Sequence, residues 1–297
     1  MNALVLSAGA GERMKPLTLM TPKPLLPVLH EPMIKQIIDR LFAHGIERVG
    51  VNCYHEAGQI TQYLEQLGDR VHVNTENRLR GTGGALTDFR SFFPDDFIIH
   101  SGDVISDVDF TALIAFHRTQ RAFATLVLVE QTGTRIIQVD DGLHVRDVTD
   151  DDKNNGFSYA GIGVFSGSVF SILPERDIFS IIDIFRAIIK NKEIMIGFRH
   201  RSAWYNVNSP YEYWRVHRDI LTSKTHIDGI TPSGAFFFHP TSSVRTKTLS
   251  GFVVVGAHAR ISEHVVLENT IVFRDTNVSR GTYKNVLLSD HFCLNMN

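Results

Sequence analysis

Short apolar runs and apolar stripes at helical spacing alternate along most of the chain. Residues 3–6 are an apolar run that predicts a buried strand. Residues 33–42 place apolar side chains at 33, 34, 37, 38, 41 and 42, a helical stripe closed by Gly45. A second strand is expected over 48–52, a helix over 57–67 closed by Gly68, and a third strand over 71–75. This β-α-β-α-β order predicts a parallel sheet with helices on both faces and a ligand at the C-terminal ends of its strands. Further strands are expected over 97–100, 124–131 and 194–198, and a polar hairpin over 136–148 around Asp141-Gly142. Residues 178–189 are apolar at helical spacing and read as core. The helix expected over 210–221 is signalled by Ser209 as N-cap, Pro210 at its first position and Glu212 in its first turn.

The pattern changes after Thr222. Residues 223–235 are polar and contain glycine, so two domains are expected, 1–225 and 226–297. Beyond Phe236, Ile261, Leu267 and Phe273 are spaced six apart, as are Val266, Val272 and Val278. Such a period with small turn residues predicts a short left-handed parallel β-helix, the alternative being an antiparallel extension. A few coils leave an apolar end open, so a homo-oligomer or docking on the rest of the chain is expected.

Composition narrows the class. With 297 residues, 43% hydrophobic and 21% charged, the chain is long enough for a large core. A net charge of −2 offers no electrostatic case for nucleic acid. Cys53 and Cys293 are too few for a disulfide framework or a cysteine-rich zinc site. No signal peptide and no membrane-spanning run are evident, so a cytoplasmic protein with no membrane attachment is expected.

Candidate chemistry concentrates in residues 7–28, SAGAGERMKPLTLMTPKPLLPV. Ala8, Gly9, Ala10 and Gly11 follow the first strand, and such a loop lets backbone N–H groups turn inward onto an anion. Glu12 comes next, and Arg13 and Lys15 add cations. Lys23 stands between Pro22 and Pro24, which are expected to hold the chain extended. A backbone nest, an arginine and a fixed lysine together suit a triphosphate. A dinucleotide fingerprint fits less well, because the third glycine is missing and prolines stand where its helix should begin.

Later segments add to this. In RGTGGAL, residues 80–86, the glycines form either a turn before a helix or a surface pressed against a base or a sugar, where a Cβ would clash. Asp103 lies just past a predicted strand end, where a carboxylate can hold a hard divalent cation or merely close a turn. Asp107 and Asp109 are expected to cap the helix beginning near Phe110. The acidic stretch 150–152 with Lys153 reads as a solvated loop. His200, in the basic run 199–201, reads as part of a solvated face, and no histidine is assigned to a metal. Trp204 and Trp214 read as packing residues.

Taken in order, these motifs resemble the signature of the sugar-1-phosphate nucleotidyltransferases, a Gly-x-Gly-x-Arg loop followed by Pro-Leu-Thr and Pro-Lys-Pro-Leu. The matching residues are Gly9, Gly11, Arg13, Pro16-Leu17-Thr18 and Pro22-Lys23-Pro24-Leu25. The resemblance covers residues 3–221 and extends to the tail. It implies an α/β fold: a Rossmann-like, mixed but mostly parallel sheet sandwiched by helices, with the left-handed β-helix appended. It implies NTP and a sugar 1-phosphate as small-molecule partners, an NDP-sugar and pyrophosphate as products, and Mg²⁺ as cofactor. Residues Ala8, Gly9, Ala10, Gly11, Glu12 and Arg13 would hold the nucleotide phosphates, with Arg13, Lys23 and Asp103 as catalytic residues. Gly81, Thr82 and Gly84 match the segment beside the base, with Glu76 as its acidic partner. Gly161, in the Ala-Gly-Ile strand, would leave room for the sugar. Lys153 is the nearest candidate for the family's sugar-phosphate lysine, at a different spacing. Asp103 and Asn206 would hold the metal. Here the sequence departs from the family's Trp-x-Asp-x-Gly-Thr-Pro: Asn206 replaces the aspartate, and an amide oxygen brings no charge. The patterns most alike are those of mannose-1-phosphate guanylyltransferases and N-acetylmuramate-1-phosphate uridylyltransferases. Asn206 motivates one rival, a non-catalytic nucleotide-sugar-binding subunit, which the retained Gly11, Arg13, Lys23 and Asp103 oppose.

Overall fold

A computed structural model describes residues 1–130, 136–149, 156–230, 232 and 234–296. The chain forms two compact units, one of residues 1–10 and 37–204, the other of residues 11–36 and 205–297. No helix among the described residues is long and apolar enough to cross a membrane.

The elements of the first unit, in order, are β1 (Asn2–Leu6), α1 (Met33–Ala43, whose first turn belongs to the second unit), β2 (Val49–Cys53), α2 (Ala57–Glu65), β3 (Val71–Thr75), α3 (Gly81–Gly84), β4 (Phe97–Ser101), β5 (Val104–Ser106), α4 (Phe110–Gln120), β6 (Ala124–Glu130), β7 (Ile136–Val139), β8 (Val145–Thr149), β9 (Phe157–Phe165), α5 (Ile181–Lys190) and β10 (Met195–Arg199). Among the described residues nine strands join in one sheet along the path β8-β7-β9-β4-β1-β2-β3, with β6 beside β9 and β10 beside β6. Strands β4, β1, β2 and β3 are parallel neighbours, and β9 enters antiparallel to β4 and β6. The expected α/β fold with a mostly parallel sheet is therefore present, and the hairpin over β7 and β8 is present too. Helix α5 turns Ile184, Phe185 and Ile188 into a core with Leu4, Phe97, Ile99, Leu126 and Phe165. Its start is fixed by a capping box, in which Ser180 and Asp183 exchange side-chain and backbone hydrogen bonds.

Expected caps meet a mixed outcome. The Asp109 carboxylate accepts the Ala112 N–H at 2.9 Å and caps α4. Asp107 does not cap that helix: its carboxylate accepts from Ser202 Oγ and lies 3.0 Å from His200 Nε2. His200 is correspondingly turned inward and not part of a solvated face, because it has a carboxylate to face.

In the second unit, residues 11–36 run through three single turns, Glu12–Met14, Leu17–Leu19 and Lys23–Leu25, anchored by buried Met14, Leu17, Pro24, Leu26 and Val28. The stretch around Lys23 is thus a 3₁₀ turn and not extended. Pro24 is tolerated because a first helical turn needs no N–H at that position, and Leu25 N–H closes the turn on Pro22 O at 2.8 Å. Helix α6 (Pro210–Leu221) begins as its sequence predicts, with Ser209 Oγ accepting the Glu212 N–H. Tyr213 O–H donates to Pro27 O at 2.6 Å, and Trp214 Nε1 donates to Asn269 O at 2.8 Å.

The tail consists of β11 (Phe236–Phe238), β12 (Ser243–Val244), β13 (Thr248–Val255), β14 (Arg260–Ile261), β15 (Val265–Val272), β16 (Asn277–Val278), β17 (Gly281–Lys284), β18 (Val286–Leu288) and β19 (Cys293–Asn295). Its parallel ladders step by sixteen to eighteen residues, as in Val265↔Gly281, Phe236↔Val253 and Thr248↔Val266. Only β19 turns back antiparallel, on β18, among the described strands. Ile261, Leu267, Val272 and Val278, all from the six-residue pattern, lie in one apolar core with Val253 and Val255.

His217 on α6 is buried and doubly committed. Its Nδ1 lies 2.8 Å from Tyr213 O, so it carries the proton there, and Nε2 accepts the Leu29 N–H at 3.1 Å. A second proton would set N–H against N–H. Burial lowers its pKa to about 4. A histidine depressed in this way leaves full stability above its unfolded pKa near 6.5 and loses stability as pH falls toward 4, because only the unfolded chain binds the proton. The shift corresponds to about 3 kcal/mol. We expect Tm to decline over that window, and His217→Gln, which cannot titrate, to start lower at pH 8 and to decline less. Parallel Tm–pH curves for the two proteins would refute this.

Candidate active site

In the first unit the site residues gather where β1 and β4 end. Gly102 N–H donates to Leu6 O at 2.8 Å, and a Cβ on Gly102 would lie 2.2 Å from Ser7 Oγ and 2.8 Å from Leu6 O. Glycine is therefore required for the two strand ends to meet. The contact brings Asp103, one residue on, beside the start of the loop Ala8-Gly9-Ala10. Gly9 is exposed and open, and a Cβ there would have nothing within 4 Å.

A buried relay joins this corner to the segment 76–84. The Ser7 N–H donates to Asn52 Oδ1 at 2.9 Å, Asn52 Nδ2 donates to Glu76 Oε1 at 2.6 Å, and Glu76 Oε2 accepts the Arg80 N–H at 3.2 Å. Asn52 carried no sequence signal, being one polar residue in an apolar strand. The glycines that follow are packed on protein. A Cβ on Gly81, Gly83 or Gly84 would lie 2.5–2.7 Å from the backbone oxygens of Phe179, Ser180 and Asp177 respectively. The close approach that these glycines permit is thus to residues 177–180. Thr82 Oγ1 accepts the Ile181 N–H at 2.9 Å. The segment is a short helix, α3, running into a 3₁₀ stretch over Ala85–Phe92, and not an open turn.

Gly161 has a φ of +78° where the pairing of β9 with β6 slips, so it forms a bulge that only glycine adopts easily. A Cβ there would lie 2.6 Å from Ser101 Oγ. Trp204 packs as expected, its Nε1 donating to Ala160 O. Lys153 lies outside the described residues.

In the second unit, Gly11 has a φ of +65° and its Cα faces Thr18 and Lys23, with Thr18 Oγ1 donating to Gly11 O at 3.1 Å. This folds the end of the glycine loop onto the turn that carries Lys23. Arg13 is exposed, while Lys15 is paired with Glu12 at 2.6 Å. Lys23 Nζ donates to Asn208 Oδ1, and Asn208 Nδ2 donates to Asn206 Oδ1. Asn206, which departs from the family pattern, is thereby joined through Asn208 to the lysine in one chain of hydrogen bonds. Asp103 and Asn206 belong to different units.

Burial sets the electrostatics around these residues. His100, three residues before Asp103, is lowered to about 4 by burial, with Nδ1 2.8 Å from Ser101 O. It is neutral at pH 7. The Cys53 thiol, beside Asn52, is pushed up to about 12 by burial and then by the Glu76 charge, so it is unreactive. Among the described residues no group of three His, Cys, Asp or Glu could hold a metal ion. The Asp103 carboxylate and the Asn206 amide oxygen are each the donor type that a hard cation such as Mg²⁺ takes.

Comparison with known proteins follows the same lines. A family model described as nucleotidyl transferase matches residues 2–223. A mannose-1-phosphate guanylyltransferase of Mycobacterium tuberculosis is 28% identical over 94% of this chain and 82% of its own length. A UTP–glucose-1-phosphate uridylyltransferase of Synechocystis is 23% identical over 95% of this chain and 85% of its own. An N-acetylmuramate α-1-phosphate uridylyltransferase of Neisseria meningitidis is 27% identical over 70% of this chain and 94% of its own. Among solved structures, HddC from Yersinia pseudotuberculosis complexed with GMP-PN superposes with a TM-score of 0.63 at 19% identity, over 73% of this chain and 98% of that one. At that identity the likeness concerns the fold alone.

The corner at Gly102 makes a paired prediction. Gly102→Ala forces Leu6, Ser7 or β4 to shift and should destabilise the protein by about 1–3 kcal/mol, the usual scale of overpacking. Gly9→Ala, with open space around it, should leave Tm within a degree or so of wild type. Denaturant unfolding of both variants checks this, and equal stabilities would show that the strand ends do not depend on the contact.

Proposed function

This chain belongs to the nucleotidyl transferase family, and from that premise we propose that it is a mannose-1-phosphate guanylyltransferase, converting GTP and mannose 1-phosphate to GDP-mannose and pyrophosphate. A phosphate oxygen of the sugar phosphate forms the bond to the α-phosphorus of the nucleotide. The bond from that phosphorus to the oxygen bridging it to the β-phosphate breaks, and pyrophosphate leaves with the electron pair. The attacking oxygen is already anionic, so no general base is needed, and catalysis consists of positioning and charge neutralisation.

The backbone N–H groups of residues 8–11 would bind the β- and γ-phosphates, and Arg13 would stabilise the departing pyrophosphate. Lys23, held in its proline-flanked turn, would bridge the reacting phosphates. Asp103, with the Asn206 oxygen, would hold Mg²⁺, which when bound neutralises phosphate charge. Segment 76–84 would lie beside the base, and β9 at Gly161 beside the sugar. The observation that supports this reading is the corner at Gly102, where the chain entering Asp103 is bonded to the end of the strand that leads into the glycine loop. The choice of GTP rests on the guanylyltransferase of M. tuberculosis combining 28% identity with 94% of the chain, against 23% over 95% for the Synechocystis uridylyltransferase and 27% over 70% for the N-acetylmuramate enzyme. Parallel ladders stepping by sixteen to eighteen residues support reading the tail as a left-handed β-helix, close to three hexapeptides per coil.

A matrix of four NTPs against mannose, glucose and N-acetylmuramate 1-phosphates, read by pyrophosphate release and mass spectrometry of the product, tests the assignment. GDP-mannose should dominate. Preference for UTP with N-acetylmuramate 1-phosphate would replace it with the second reading. No turnover together with tight nucleotide-sugar binding would make the chain a regulatory subunit.

The neutral Asn206 generates a separate expectation. With one charged protein ligand, the metal should bind weakly without nucleotide, so half-maximal rate should need more Mg²⁺ than after Asn206→Asp. Titrating Mg²⁺ against both proteins decides it. If the two curves coincide, Asn206 does not face the metal.

A further inference from the structure

Asn52 is 3% exposed and Glu76 is 5% exposed, at the C-terminal ends of β2 and β3. Strand pairing places Leu6 opposite Asn52, and Asn52 opposite Asn74, so the side chain of Asn52 sits between the exits of β1 and β3. Its amide can stand only one way round. An ionised carboxylate accepts and never donates, so Glu76 Oε1 must face Nδ2. A backbone N–H only donates, so Ser7 must face Oδ1. Turning the amide over would break both hydrogen bonds and leave two buried polar groups unpaired.

The second oxygen of Glu76 accepts the N–H of Arg80, whose carbonyl in turn accepts the Phe179 N–H at 3.0 Å. Phe179 O then accepts the N–H groups of both Gly83 and Gly84. One continuous path of hydrogen bonds thus runs from the first residue of the glycine loop, through Asn52 and Glu76, into the helical turn 81–84. Ser7 and Arg80 are 73 residues apart in the chain, yet a single amide and a single carboxylate separate their backbones.

We propose that Asn52 is a positioning residue that locks the phosphate-binding loop and the base-binding segment to each other, so that nucleotide binding at either one depends on the posture of the other. The names given to the two segments rest on the function proposed above, whereas the mechanical link between them does not. Asn52 touches no reacting atom in this scheme. It acts through Ser7 and Glu76.

The test exchanges donor and acceptor across the Asn52–Glu76 bond. Asn52→Asp keeps an acceptor for Ser7 but sets two carboxylates against each other. Glu76→Gln replaces one of two accepting oxygens by a donor, which must face either Asn52 Nδ2 or the Arg80 N–H. The double variant Asn52→Asp with Glu76→Gln restores one donor and one acceptor in reversed order. Two measurements are made at pH 8 on all four proteins: hydrogen–deuterium exchange of the peptides covering residues 7–10 and 80–84, and calorimetric affinity for GTP. Each single variant should speed exchange at least tenfold in both peptides, including the one it does not touch, and should weaken GTP binding at least tenfold. The double variant should return within threefold of wild type in exchange and bind GTP more tightly than the worse single variant. Exchange at 7–10 that stays unchanged in Glu76→Gln, or a double variant no better than the worse single one, would overturn the link. A single variant that fails to fold leaves the comparison of the double variant with wild type, in which loss of protection at 7–10 counts against the link and retention for it. If the wild-type protein binds no NTP, the function proposed above falls, and the link stands or falls on exchange alone.

Discussion

The first unit depends on the meeting of two strand ends across Gly102. Parallel neighbours β1 and β4 deliver their last residues side by side, and the Gly102–Leu6 hydrogen bond closes the gap only because no Cβ intervenes. This one close approach sets where the glycine loop departs from β1 and where the chain turns into Asp103. The arrangement follows from parallel pairing, which puts both strand exits on one edge.

Lys23, Asn208 and Asn206 show how a departure from a family pattern can be absorbed. An aspartate at 206 would bring a negative charge to the end of a hydrogen-bonded chain that begins at a lysine ammonium. With asparagine the chain remains complete, since Asn208 accepts from the lysine and donates to Asn206 Oδ1, and no charge is added at its far end. A lysine held through neutral amides keeps more of its attraction for a polyanionic substrate than one facing a carboxylate at the same place.

Much of the fold was legible in the sequence where a local rule sufficed. Ser209, Pro210 and Glu212 marked the start of α6 because capping is decided within one turn. Asp109 was legible for the same reason, while Asp107 was not, since its partners Ser202 and His200 lie far along the chain. Of the residues spaced six apart in the tail, Ile261, Leu267, Val272 and Val278 share one apolar core. The glycines of 81–84 were legible as a close approach, but what they approach, the backbone of 177–180, is a long-range fact that no local pattern encodes. Asn52 was invisible altogether. A polar residue in an apolar strand declares itself only when its two partners, at Ser7 and Glu76, are known.

The second unit is built from the two extremities of the chain, residues 11–36 and 205–297. Tyr213 secures Pro27, His217 secures Leu29, and Trp214 secures Asn269. A nascent chain therefore holds residues 11–36 in hand until α6 has been translated, and the segment bearing Arg13 and Lys23 waits that long for its packing partners. Folding of this unit is thus a late event of high contact order, and chains cut short before residue 210 leave the lysine turn without its support.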